Sequence, residues 1–349
     1  MSNSFNHGYA LLIGVGETSN WHYSLPATVR DVRAIHAVLT DPKFCGYSTE
    51  SDHVRILHDS YATRNAILEG LDWLKEATTK DSEATVLVYY SGHGVLELST
   101  EQYYLLQHDF KLSDILGTAL SAQEFSNGLR QIKAKSLLVI IDSCHAEGMA
   151  TSKEEDLNQS AGFLLTAPLK SFTDTLRHGA GRAVFTSCRG KQKSYIRSDN
   201  VMSVYTYHLI EALKGAANRP GDELVKVSHL MNYLAETVPA SVRQMYQKEQ
   251  TPFFDFSTED FPVALLLGGK GLISSNMVEA LPQKIIARKE VFLQPALKMA
   301  LRALAIFEQQ AAGYGSLKIP PELLIQLEDK RLEVASLEAR LKILEVGYE

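Results

Sequence analysis

Leu137 to Ala146 reads Leu-Leu-Val-Ile-Ile-Asp-Ser-Cys-His-Ala. Five consecutive apolar residues without polar alternation describe a strand buried on both faces, as in the middle of a parallel sheet covered by helices. The strand ends at Asp142, and the residues after it lie where open α/β sheets place their chemistry, outside the carboxyl ends of the strands. Cys144 is delivered there. A second run, Val86 to Tyr90, is also continuously apolar and leads into Ser91-Gly92-His93-Gly94, where the glycines let backbone approach a ligand closely. Two buried strands therefore bring one thiol and one imidazole to the same rim.

The same alternation of elements recurs on both sides of this pair. Tyr9 to Val15 reads as a first buried strand. Pro26 opens a helix carrying Val29, Val32, Ile35 and Leu39 until Asp41-Pro42 breaks it. Val54 to Leu57 is a short strand and Thr63 to Ala77 a helix with Ile67, Leu71 and Leu74 on one face. Tyr103 to Leu106 reads as a strand, and Phe125, Leu129 and Ile132 mark the helix entering the central strand. Ala183 to Cys188 is a further strand, followed by helices at Val204 to Leu213 and Val227 to Val238 and an apolar run at Phe261 to Leu267. Strand, helix and strand in alternation predict a mostly parallel central sheet flanked by helices, an α/β fold. Gly14-x-Gly16 lacks the third glycine and the prompt helix of a dinucleotide loop, so nucleotide binding is disfavoured.

Between His145 and Arg182 the pattern lapses for roughly 38 residues, a length that in a compact domain marks a functional or mobile loop. Gly268-Gly269-Lys270-Gly271 closes the domain. From Gln283 onward the composition shifts to Ala, Leu, Glu, Lys and Arg. The expected organisation is a main domain over residues 1–270, a linker over 271–282 and a C-terminal helical hairpin module over 283–349. Leu297, Leu301, Leu304 and Phe307 stripe the first arm; Leu323, Leu327, Val334, Leu337, Leu341 and Leu344 form a coiled-coil-like seam on the second. Such a module is expected to associate with itself or with a protein partner, or else to fold back over apolar surface of the main domain.

Composition narrows the classes. The chain of 349 residues is 45% hydrophobic and 22% charged, with 35 basic and 41 acidic residues giving a net charge of −6. That is an ordinary globular protein without the basic field that nucleic acid attracts. No apolar stretch is long enough to span a membrane, and the polar start Met1 to Gly8 has no signal-peptide character. A cytoplasmic protein is expected, with no nucleic-acid or membrane partner. The three cysteines, Cys45, Cys144 and Cys188, are widely spaced and fit free thiols in a reducing compartment.

A thiol becomes a strong nucleophile when a neighbouring imidazole takes its proton, and the adjacency needed is spatial. His145 comes directly after Cys144 and, leaving a strand, points to the opposite side. His93 is the better base. Each residue alone reads as readily as a small buried hydrophobe or a satisfied polar group; together, each after a buried strand, they read as a pair.

With His93 preceding Cys144 by 51 positions, the sequence resembles the caspase-like cysteine peptidases, for which such spacing is a mark. The resemblance rests on Tyr9-Ala-Leu-Leu-Ile-Gly, Arg30-Asp31-Val32, Tyr90-Ser91-Gly92-His93-Gly94, Asp142-Ser143-Cys144-His145 and Gln250-Thr251-Pro252, over about Tyr9 to Gly269. It is greater to metacaspases and their bacterial, orthocaspase-type relatives than to animal caspases. It implies a caspase-like fold with His93 as general base, Cys144 as nucleophile, and an oxyanion hole at the backbone amides of Gly94 and Cys144. Animal caspases have Gln-Ala-Cys-Arg-Gly around the nucleophile and hold a substrate aspartate with arginines, whereas this strand ends in Asp142. The resemblance to metacaspases implies that Asp31, Ser91 and Asp142 line a pocket for a substrate Arg or Lys, and a carboxylate at a partly buried strand end gains from such a cation. Asp31 also reads as an acid in the first turn of a helix, favoured by the dipole.

Two functions from different classes are open: a cysteine endopeptidase cleaving protein substrates after Arg or Lys, self-processing and partner-activated, or a caspase-fold scaffold that binds partners through its tail. Self-processing is expected at Lys153, Lys170, Arg177 or Arg182 within the patternless stretch. No cofactor is expected. The stretch Leu120 to Glu124, where many metacaspases carry paired aspartates, lacks the clustered carboxylates calcium wants, and no metal ligand set is predicted.

Overall fold

The computed structural model describes residues 4–20, 23–49, 53–143, 162–177, 179–190, 192–256 and 260–269, with single positions 301, 304, 305, 308, 331 and 334. The chain divides into two compact units, Met1–Leu272 and Ile273–Glu349. In the first unit, β1 (Gly8–Gly14), α1 (Pro26–Thr40), β2 (Val54–His58), α2 (Arg64–Lys80) and β3 (Thr85–Glu97) come in turn. They are followed by β4 (Tyr103–Leu106), the single turn α3 (Ile115–Thr118), β5 (Leu120–Ser121), α4 (Ala122–Gln131) and β6 (Ser136–Ser143). Beyond these come β7 (Phe163–Leu165), α5 (Lys170–Leu176), β8 (Arg182–Thr186), α6 (Val204–Leu213), β9 (Leu224–Lys226), α7 (Val227–Tyr246), β10 (Phe253–Phe256) and β11 (Pro262–Leu265).

The central sheet runs β10-β8-β6-β3-β1-β2, parallel throughout except for the edge strand β10. This is the mainly parallel, helix-flanked α/β sheet that the apolar runs predict. Both faces are covered, and the two-residue period of a strand divides its side chains between them. Leu12, Leu87, Tyr89, Leu138 and Ile140 pack in one cluster with Ile35 of α1, Leu209 of α6 and Leu234 of α7. Ile13, Val86, Val88, Val139 and Ile141 pack in the other with Leu71 of α2, Phe125 of α4 and Phe172 of α5. Each fully buried aliphatic side chain contributes about 1.5–3 kcal/mol, which explains why polar alternation is missing from β3 and β6.

Local chemistry sets the helix starts. Pro26 takes the first position of α1, Thr63 caps α2 by accepting the Ala66 N–H, and Ser121 and Glu124 form a reciprocal capping box on α4. Glu124 also pairs with Arg64.

Four departures from the sequence reading have physical causes. The stretch expected to be patternless up to Arg182 contains β7 and α5, elements of three and seven residues that are too short for a periodic signal. Arg182 is not in a loop: it opens β8 beside Leu137, is 9% exposed, and donates to the carbonyls of Leu129 and Ile132 at 3.1 Å each. α7 continues past Pro239 to Tyr246. An interior proline costs about 3 kcal/mol, and burial of Val238 and Val242 on either side holds both halves of the helix to the core. Finally, β3 extends to Glu97 because, beyond the parallel sheet, it pairs antiparallel with β4 and β7.

Among the described residues no helix is long and apolar enough to cross a membrane. Most of the expected C-terminal hairpin lies outside the described residues. In the second unit Leu301, Leu304, Ala305, Glu308, Arg331 and Val334 are helical, and Arg331 donates to Glu308 Oε1 at 3.0 Å, linking the two segments expected as the arms.

Candidate active site

The site is built where β3 leaves the parallel sheet, at Ser91 to Gly94, and at the carboxyl end of β6. Their register sets Ser91 beside Asp142 and Gly92 beside Ser143, so the residue before His93 and the residue before Cys144 are neighbours across the ladder. Cys144 itself, the next residue after Ser143, lies outside the described residues. His93 is 3% exposed, and its ring meets Tyr23 edge-on with centroids 5.9 Å apart. The Tyr90 hydroxyl lies 2.8 Å from the carbonyls of both His93 and Leu106, tying the β3 bend to β4.

Gly94 has no room for a side chain. A Cβ there would lie 1.8 Å from the Tyr103 hydroxyl. That hydroxyl donates to the Thr166 carbonyl at 2.9 Å and lies 3.1 Å from Ser143 Oγ. Tyr103 thereby connects the glycine after His93 to the serine before Cys144.

On the face of the sheet that carries Tyr89, whose hydroxyl meets Thr206 of α6, and opposite Tyr90 and Tyr103, the two acids meet. Asp31 and Asp142 are both 0% exposed. Asp31 is not a first-turn acid: it is the sixth residue of α1, whose first turn carries no acid, and it points into the interior. Stripping a carboxylate of water costs several kcal/mol unless donors replace the water, and here they do. Asp31 Oδ2 accepts the Ser91 hydroxyl at 3.2 Å and Oδ1 the Ser203 N–H at 3.0 Å. Asp142 Oδ1 accepts the Ser194 hydroxyl at 2.7 Å and Oδ2 the Ser203 hydroxyl at 2.6 Å. Asp142 was expected at a partly buried strand end, and it is fully enclosed because β6 runs one residue farther and the loop before α6 closes over it.

The negative charge of the acids is felt around them. The Tyr89 phenol is held well above the usual tyrosine range by burial, and then by Asp31 and Asp142; Tyr205 is raised by burial and by Asp142. The Cys188 thiol is pushed up to about 12 by burial, with Asp142 adding to it.

Ser203 does three jobs. Its backbone N–H serves Asp31, its hydroxyl serves Asp142, and the same Oγ caps α6 by accepting the Thr206 N–H at 2.9 Å. The loop that carries it is held from outside by Arg30, whose guanidinium donates to the carbonyls of Asn200 and Val201. The sequence reading missed Ser194, Ser203 and this role of Arg30. Only Ser203 had a local signal, as a serine immediately before an apolar helical run.

The other expected residues are dispersed. Lys170 starts α5 and Arg177 follows its end, paired with Asp255 at 2.9 Å; Arg182 is buried in β8, and Lys153 lies outside the described residues. Among the described residues there is no group of three or more His, Cys, Asp or Glu placed to hold a metal ion.

The family model described as the caspase domain matches residues 7–262. No curated protein matches the chain.

Proposed function

The chain belongs to the caspase-domain family, and from that premise we propose that it is a cysteine endopeptidase cleaving protein chains after arginine or lysine. Cys144 is the nucleophile and His93 the general base. The imidazole takes the thiol proton, and the thiolate attacks the scissile carbonyl. The oxyanion is met by the backbone amides of Gly94 and Cys144; His93 returns its proton to the departing amine, and water then hydrolyses the thioester. The register of Gly92 with Ser143 supports this pairing, since it sets the residues just before His93 and Cys144 side by side at the edge of the parallel sheet.

The observation that carries the substrate class is the enclosed acid pair. Asp31 and Asp142, with Ser91 between β1 and β6, form the cation pocket. An arginine offers five N–H donors in a planar fork, suited to carboxylates with oxygens already oriented by hydroxyls. A pocket for a substrate aspartate would need the opposite charge. In this reading the chain sides with metacaspase-like, orthocaspase-type members rather than animal caspases, and acts as a self-processing zymogen in the cytoplasm. Intact Cys144, His93, Asp31 and Asp142 favour the peptidase over a scaffold that binds partners through its tail.

The domain plan is a peptidase domain over 1–270, a linker over 271–282 and a helical module over 283–349 that brings copies or a partner together and so activates the enzyme. Truncation after Lys270 should keep active-site labelling and lose self-association or partner capture; an aggregated truncation would mean that the tail is part of the fold. The function itself is tested with an irreversible acyloxymethyl ketone carrying Arg. Covalent capture at Cys144 is expected, and equal capture by an Asp analogue would refute the assignment.

A further inference from the structure

Gln250 is 0% exposed and has no part in the chemistry above. Its side chain joins three stretches: the end of β8, the loop leading toward α6, and the approach to β10. Oε1 accepts the Tyr195 N–H at 2.9 Å, while Nε2 donates to the Ser187 carbonyl at 3.0 Å and to Ser194 Oγ at 3.2 Å. A backbone N–H can only donate and a carbonyl can only accept, so the amide has one orientation. This decides the direction of the next bond. A serine has one hydroxyl proton, and with Ser194 Oγ accepting from Gln250 that proton goes to Asp142 Oδ1, 2.7 Å away.

We propose that Gln250 is a positioning residue of the cation pocket, acting through Ser194 to hold Asp142 in the orientation that meets the substrate's basic side chain. This rests on reading the acid pair as the Arg or Lys pocket. Gln250, Ser194 and Asp142 are all 0% exposed, so the link between them runs through buried groups. Without the amide, Ser194 Oγ loses the donor that fixes the direction of its own proton. Asp142 is then left with a hydroxyl free to turn away from it.

The test is a double-mutant cycle on a peptide with Arg before the scissile bond, using the full chain and the variants Gln250→Met, Ser194→Ala and both together. Each single change should raise KM roughly tenfold, the worth of a hydrogen bond to a charged group. Both kcat and iodoacetamide labelling of Cys144 should stay within about twofold, because uniform binding is what is lost. The double variant should be no worse than Ser194→Ala, since residues acting in series do not add. Gln250→Asn keeps an amide but is one methylene too short to span Tyr195 and Ser194 together, so it must show the same KM rise; it carries the test where Gln250→Met does not fold. Full additivity in the double variant, or a fall in kcat at unchanged KM, overturns the inference. A wild type that cleaves after Arg while showing additivity refutes this inference alone; a wild type that hydrolyses no Arg or Lys peptide refutes the functional reading and this one with it.

Discussion

The Ser203 hydroxyl donates to Asp142 Oδ2 at 2.6 Å. Because the backbone N–H of the same residue serves Asp31 at 3.0 Å, one residue at the start of a helix fixes the spacing of two acids that are 111 positions apart in the sequence. Most of what the site is expected to do depends on that arrangement.

Removing either acid should reveal it. Losing a buried charge-assisted contact costs on the order of 2–5 kcal/mol, so Asp31→Asn and Asp142→Asn should each lower kcat/KM on Arg peptides by that amount. Ser203→Ala should raise KM for the same peptides and lower stability by about 1 kcal/mol through the lost cap. Steady-state kinetics and urea unfolding would check both. Unchanged kinetics in Asp142→Asn would remove the acid from the pocket.

Gly94 makes a steric prediction. Gly94→Ala drives a methyl into the Tyr103 hydroxyl and displaces the tie to Ser143 and Thr166. Overpacking of this kind costs about 1–3 kcal/mol. A lowered Tm and a large loss of turnover should appear together, whereas a variant with wild-type Tm and turnover would show that the strand accommodates a side chain there.

The remaining thiols should be silent. Cys45 and Cys188 are buried free thiols, and burial raises both, Cys188 to about 12. Iodoacetamide at pH 8 should therefore label Cys144 in the native protein and spare these two. Their effect on stability has a definite sign. Unfolded thiols ionise near ~8.5, while the native ones stay protonated, so above that pH the unfolded chain binds fewer protons and stability falls as pH rises toward 12. Cys188→Ala should flatten that alkaline decline, and a native Cys188 that alkylates at pH 8 would contradict its burial.

How much of this was legible in the sequence depended on the range of the signal. β3, β6 and α1 announced themselves because burial on both faces leaves unbroken apolar runs and a buried helix stripe repeats every turn. His93 and Asp142 stood out because each follows or closes such a run, whereas Asp31, inside α1, was singled out only by the resemblance to metacaspases. β7 and α5 were hidden by their brevity, and α7 was cut short at Pro239, where local propensity is overridden by burial of Val242. Ser194, Ser203 and Gln250 are polar residues at loop and cap positions; the two serines reach Asp142 across 52 and 61 positions, and Gln250 reaches Ser194 across 56. No periodicity encodes that; only the fold brings them together.

Self-processing is narrowed by the same geometry. Arg182 is withdrawn into β8, so no autolytic fragment should end there while the domain is folded. Incubated wild type should yield fragments ending among Lys153, Lys170 and Arg177 that are missing from Cys144→Ala, as read by intact mass spectrometry. A fragment ending at Arg182 would contradict the burial of that strand.

The decisive measurement is kcat/KM on matched peptides that differ only in the residue before the scissile bond, Arg, Lys or Asp, for wild type, Cys144→Ala, His93→Ala and the double variant. Hydrolysis after Arg and Lys by the wild type is expected, and none after Asp. Each single variant should lose turnover, and the double variant should be scarcely worse than either, because nucleophile and base act as a unit. Preferred cleavage after Asp, or turnover retained by Cys144→Ala, would contradict the assignment of a Cys144–His93 peptidase with an acidic pocket.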